Sequence, residues 1–160
     1  MSILVRHAMS GDPQTLSPDL TAADAAGLMT KLDVGVVPVV EDGNLLGLVT
    51  DRDLVTRVIA QRTPAEEVRL RDVLTSSPVT VTPDMKLSEA RDIMAEHQIR
   101  RLPVVKADEL VGILSLGDVA LADRSERAVG DTLRATSESE ATETLAGDPP
   151  RGTPERVARH

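Results

Sequence analysis

The sequence predicts an α+β fold of two β-α-β-β-α repeats, packed by pseudo-twofold symmetry into one module and followed by a disordered C-terminal tail. Three observations predict it. Displacing the chain by 65 positions aligns residues 6–58 with 71–123 without a gap, and 13 of the 53 pairs are identical. The identities fall on turn, edge and polar positions: Thr15, Pro18 and Asp19 meet Thr80, Pro83 and Asp84, while Gly47 and Asp53 meet Gly112 and Asp118. Matches concentrated in this way indicate a duplicated supersecondary unit. Within each copy the apolar spacing switches between the helical period of 3.6 and the strand period of 2. Finally, 160 residues and 17.1 kDa are enough for one domain or two half-domains sharing a core, burying roughly 70% of the surface of the unfolded chain.

Each element follows from local chemistry. A short strand near Thr15 opens the first copy. Thr21 then caps a helix over residues 22–33, with Asp24 as its capping-box partner and Ala25, Leu28, Met29 and Leu32 on one face. Val36 to Val40 and Leu45 to Thr50 are β-branched-rich runs separated by Glu-Asp-Gly-Asn, a hairpin signal. An acidic residue opens another helix at Asp51–Gln61. In the second copy the strand lies near Thr80 and the first helix over 87–98, with Ala90, Ile93, Met94 and His97 facing inward. Strands at 102–106 and 110–115 and a helix at Gly117–Ser125 complete it. Residues 3–9 and Val68 to Leu74 are expected to form short lead-in helices.

These elements divide the chain into repeat 1 over 1–62, a connection over 63–70 and repeat 2 over 71–125. Residues 126–135 are expected to form a last helix that docks through Val129 and Leu133. Residues 136–160 hold 11 Ser, Thr, Pro or Gly in 25, too few apolar groups to offset the entropy of ordering them. They are expected to be a disordered tail.

Composition excludes several functions. Without cysteine there are no disulfides, zinc thiolates or thiol nucleophiles. With 26 acidic against 18 basic residues the net charge is −8, which gives no field toward phosphate backbones or anionic lipid. Nucleic acid and membrane are therefore not expected partners. No stretch reaches transmembrane length and the start carries no signal-peptide core, so the expected compartment is the cytoplasm. The absence of Phe, Trp and Tyr forbids aromatic stacking, so a flat ligand would have to lie between aliphatic side chains.

Chemistry concentrates in a paired element, Gly47 to Asp53 and Gly112 to Asp118, in which a strand ends in a hydroxyl residue three positions before a carboxylate on the opening turn of a helix. A helix N-terminus presents amide donors to phosphate, Thr50 and Ser115 can donate to it, and Asp53 and Asp118 can accept ribose hydroxyls. The same residue types cap helices without any ligand, so the spacing alone leaves both roles open. No histidine stands beside a plausible nucleophile, and no Walker loop or dinucleotide fingerprint is present. No enzymatic activity is expected. His97 is expected at the core edge, His7 and His160 have no metal-site spacing, and Met29 and Met94 fill the core.

Taken in order, PQTLSPDLT and PVTVTPDMK, the helices bearing Met29 and Met94, VPVV and LPVV, and the two G-x-x-(T/S)-x-x-D elements resemble a tandem cystathionine-beta-synthase (CBS) domain pair, the Bateman module. The resemblance covers residues 5 to about 125. It implies two clefts that bind an adenosine ligand such as AMP, ADP, ATP or S-adenosylmethionine. It also implies that Thr50 and Ser115 touch phosphate or ribose and that Asp53 and Asp118 hold the ribose. Thr15 with Leu16, and Thr80 with Val81, would line the base pocket. Val36 and Val37, and Arg100, Arg101 and Leu102, would supply contacts ahead of the family's proline. Arg100 and Arg101 stand where the first copy has Gly35 and Val36, and Leu116-Gly117 replaces Asp51-Arg52, so the two clefts should not bind alike. The expected function is that of a stand-alone, non-catalytic sensor that needs no cofactor. It would form a homodimer through the helices at Asp51–Gln61 and Gly117–Ser125 and signal to an unidentified regulated protein. The alternative is a ligand-free dimeric interaction protein of the same fold.

Overall fold

The structure, a computed structural model, describes residues 2–128 and 131. The chain divides into two compact units, Met1–Ala122 and Asp123–His160. In the second unit residues 123–128 and 131 are helical. Val129, Leu133 and the tail over 136–160 lie outside the described residues.

The first unit holds both repeats. Helix α1 (Val5–Ala8) and strand β1 (Ser10–Gly11) precede helix α2 (Ala22–Leu32). Thr21 Oγ1 accepts the Asp24 amide at 3.2 Å, and Asp24 Oδ2 accepts the Thr21 amide at 2.9 Å, a reciprocal cap that fixes where α2 starts. Strands β2 (Val36–Glu41) and β3 (Asn44–Thr50) form an antiparallel hairpin. Asp42 and Gly43 both have positive φ, as a two-residue hairpin turn requires. Helix α3 (Asp51–Leu54) continues into a π-helical turn over Val55–Ile59, in which the Ala60 amide donates to the Val55 carbonyl at 2.9 Å.

Strand β4 (Thr75–Ser76), helix α4 (Leu87–His97) and strands β5 (Arg101–Lys106) and β6 (Glu109–Ser115) repeat the plan, and residues 116–122 are helical. The duplication extends to detail. Both hairpins carry an irregularity between the valines after their proline, Val39/Val40 and Val104/Val105. All strands belong to one six-stranded sheet, in which the two hairpins meet at Asn44 and Glu109.

The structure differs from the sequence reading at the leading segments. No regular strand forms at Thr15 or Thr80; each copy has a single parallel bridge there, Leu16 to Val39 and Val81 to Val104. The regular strands lie just upstream and cross to the opposite repeat: β1 pairs with β6, and β4 pairs with β3. The lead-in before repeat 2 is two 3₁₀ turns, Ala65–Glu67 and Leu70–Asp72, rather than one helix over 68–74.

Packing is exchanged in the same sense. Val5 belongs to the second core, with Val81, Met94, Leu102 and Leu114. Leu70 and Val73 belong to the first, with Met29, Val37, Val49 and Val58. The packing thus crosses the chain-order boundaries at residues 62 and 71. Matching ion pairs fasten the exchanged segments, Arg71 to Asp19 at 2.7 Å and Arg6 to Asp84 at 2.9 Å.

Crossing explains the motif glycines. A Cβ at Gly47 would stand 2.3 Å from the Thr75 carbonyl oxygen, and one at Gly112 would stand 2.8 Å from that of Ser10. Only glycine allows a strand to pass so close. His97 corrects another expectation: it is exposed rather than inward, because α4 ends there and Gln98 turns left-handed.

Candidate functional site

Where the repeats meet, a cavity of about 290 Å³ opens within the first unit. It brings together Val36 and Val37 from the start of β2, Arg101 from the start of β5, Ser115 from the end of β6, and Asp118 beyond it. These strand ends sit side by side because Arg101 is the register partner of Ser115 and Val36 that of Thr50.

Ser115 and Asp118 form a reciprocal cap. The Ser115 amide and hydroxyl donate to Asp118 Oδ2 at 2.8 and 2.7 Å, and the Asp118 amide donates to Ser115 Oγ at 3.1 Å. Asp118 lines the cavity, and its Oδ1 takes no part in the cap. Arg101 is the one cation and Asp118 the one carboxylate among the lining residues. The guanidinium offers a planar fork of donors suited to phosphate, the carboxylate suits a diol, and Val36, Val37, Val34 and Ile113 form the aliphatic walls a flat ring needs in a chain without aromatics.

The other expected residues fall elsewhere. Thr50 and Asp53 repeat the cap, with the Thr50 amide donating to Asp53 Oδ2 at 2.9 Å and the Asp53 amide to Thr50 Oγ1 at 3.1 Å, yet neither lines this cavity. Leu16 and Val81 are core side chains, 8% and 1% exposed, as is Leu102. Their backbones join the sheet through bonds such as Leu16 N–H to Pro38 O and Val81 N–H to Pro103 O. Thr15 is exposed and outside the cavity. Thr80 lines a second depression beside the hairpin turns, with Asn44 and Asp108. Arg100 is exposed, and its carbonyl accepts the Leu116 amide.

Sequence reading missed Ser10, Pro13 and Gln14, which form one wall. Their signal was Gly112, a glycine inside a strand, which marks a close backbone approach; what approaches it is β1. Leu32 and Val34, at the end of α2 and the start of the next connection, complete the apolar side. Among the described residues no cluster of three or more His, Cys, Asp or Glu could hold a metal ion, and no helix is long and apolar enough to cross a membrane.

Comparison with known families resolves what the duplicated unit is, because the CBS domain profile matches residues 5–60 and again 70–125. The chain belongs to the CBS-domain family. The CBS domain-containing protein YhcV of Bacillus subtilis is 42% identical over 133 residues, covering 81% of this chain and 91% of that one. Among solved CBS structures, AcuB from Vibrio cholerae matches with a TM-score of 0.74 and 33% identity, over 82% of this chain and 98% of its own. The structure of CBSX2 in complex with AMP matches with a TM-score of 0.69 and 29% identity, over 78% of this chain and 98% of that one. This CBS pair therefore shares its tandem architecture with an adenosine-ligand-binding relative.

Proposed function

We propose that the chain is a non-catalytic regulatory module of the cytoplasm that binds an adenosine nucleotide between its two CBS repeats and signals occupancy to a partner protein. The observation that carries this is the cavity flanked by Arg101 on one strand end and Ser115 with Asp118 on the next. Asp118 Oδ1 accepts the ribose diol, Ser115 rotates its hydroxyl toward the phosphate, and Arg101 pairs with the phosphate charge. The purine lies between aliphatic walls. One lining cation favours a monophosphate, so AMP leads ADP, ATP and S-adenosylmethionine. The match to a relative crystallised with AMP supports the same class.

Signalling requires that the ligand bind two arrangements of the protein unequally. Ligand bridging β2, β5 and β6 would favour one relative placement of the repeats. We assign a homodimer to the helical faces after β3 and β6, where Val55, Ile59 and Leu121 are 54%, 66% and 66% exposed.

Calorimetric titration with the four ligands tests the reading. AMP should bind, and Asp118→Ala should abolish binding while the protein remains folded. One observation favours a second reading, a ligand-free interaction protein: Thr50–Asp53 and Ser115–Asp118 both form reciprocal caps, a role that by itself accounts for these residue types at a helix start. Under that reading none of the four nucleotides shifts the melting temperature.

A further inference from the structure

The two repeats treat their matching aspartates differently. Asp53 is 8% exposed and is the one buried charged residue among the described residues. Besides its cap, it receives the Thr75 hydroxyl, shared at 3.3 Å between Oδ1 and Oδ2. Arg57 Nε stands 3.8 Å from Oδ1. Arg57 is itself anchored, with Nη1 donating to the Val73 and Leu74 carbonyls at 3.0 and 3.1 Å. Both carboxylate oxygens of Asp53 are therefore engaged by the segment that crosses from the linker.

In the other copy these partners are missing. The counterpart of Thr75 is Ser10, whose hydroxyl makes no bond to Asp118 in the described structure, and the counterpart of Arg57 is Ala122, which has nothing to donate. Asp118 lines the cavity, and its Oδ1 takes no part in the cap.

The cavity has the same asymmetry. It contains both members of three repeat-related pairs, Val36/Arg101, Pro38/Pro103 and Leu48/Ile113, so it sits at the centre of the repeat pair. Beyond them it extends to Ser10, Gln14, Val37, Ser115 and Asp118. Their counterparts Thr75, Val79, Leu102, Thr50 and Asp53 do not line it.

We propose that the two clefts are inequivalent: Arg57 and Thr75 plug the Asp53 cleft from within, so that each chain takes one adenosine ligand, on the Ser115–Asp118 side. This rests on the adenosine-binding reading above. For a ribose to reach Asp53 it must displace the Thr75 hydroxyl and the guanidinium. At Asp118 it displaces neither.

Two measurements on the full chain test this. Calorimetric titration with AMP, and in parallel with ATP, should give one site per chain, lost in Asp118→Asn. The double variant Arg57→Ala/Thr75→Ser, which copies the Ala122/Ser10 arrangement, should gain a second site; if it does not fold, Arg57→Met/Thr75→Val, which removes both donors at nearly unchanged volume, replaces it. Two equivalent sites in the wild type, or one site that survives Asp118→Asn, would overturn the inference while leaving nucleotide binding intact. Silence with both nucleotides in every protein would overturn the binding reading and the single-site inference with it. The second measurement uses no nucleotide: Asp53→Asn should lower the melting temperature clearly more than Asp118→Asn. Equal losses would refute the plug whatever the titration shows.

Discussion

Replacing Gly47 with alanine perturbs the point where β4 crosses β3. The added Cβ would lie 2.3 Å from the Thr75 carbonyl oxygen, 2.7 Å from Leu74 Cδ1 and 3.1 Å from the Thr75 carbonyl carbon. Ordinary contact begins at 3.4 Å, so the backbone of β4 must retreat by about 1 Å. That strand is held by only two residue pairs, Gly47 with Ser76 and Leu48 with Thr75. Overpacking costs about 1–3 kcal/mol, and each ladder bond lost costs about 1 kcal/mol. The stiffer unfolded chain returns only about 0.4–1 kcal/mol. The expected net loss is about 2–3 kcal/mol, or roughly 10 °C of melting temperature for a unit of this size. Far-ultraviolet circular dichroism reads it, since the chain has no Trp or Tyr to fluoresce. Gly27→Ala is the control, because a Cβ there meets nothing within 4 Å; at this exposed position of α2 it should stabilise by about 0.5–1 kcal/mol. A Gly47→Ala protein that melts with the wild type would refute the account of why these strands carry glycine.

Ser115→Ala removes the acceptor of the Asp118 amide and one donor to its carboxylate. It should cost about 1 kcal/mol of stability and weaken AMP binding about tenfold, measured by calorimetry. Asp19 responds to acid: the hydrogen bond from Arg71, and next its charge, hold the carboxyl below the ordinary value of 3.8. Its contribution is therefore full above that unfolded value and fades as pH falls through the lower folded one. The melting difference between wild type and Asp19→Asn should shrink in that acid range, and also at high salt because the pair is exposed. Ile59→Asp places a charge on a residue 66% exposed. It should leave the fold intact and convert the proposed homodimer to monomer in sedimentation, where an unchanged dimer would move the interface elsewhere.

What could be read from the sequence depended on whether a signal was local. The capped start of α2 at Thr21, the Asp-Gly turn and both hairpins are set by residues within a few positions of one another, and they formed close to where the pattern places them. Ser115 and Asp118 were legible as a pair because their spacing repeats that of Thr50 and Asp53. The exchange of the leading segments was not legible, since nothing in residues 3–11 or 65–76 states which repeat they will cover. That exchange brings Ser10 and Gln14 to the cavity and Thr75 to Asp53. The expected inequality of the two clefts rested on Arg100-Arg101 and Leu116-Gly117, departures visible along the chain itself. The contact of Thr75 with Asp53 lies outside the motif itself and depends on that exchange, so no spacing announces it.

The most direct test of ligand binding is equilibrium dialysis of the wild type and Asp118→Ala against AMP, read at the adenine absorption band, where a chain without Trp or Tyr is nearly transparent. Excess absorbance that saturates on the wild-type side and is absent with Asp118→Ala is the predicted result. No excess with AMP, ADP, ATP or S-adenosylmethionine, or an equal excess with both proteins, would contradict the account.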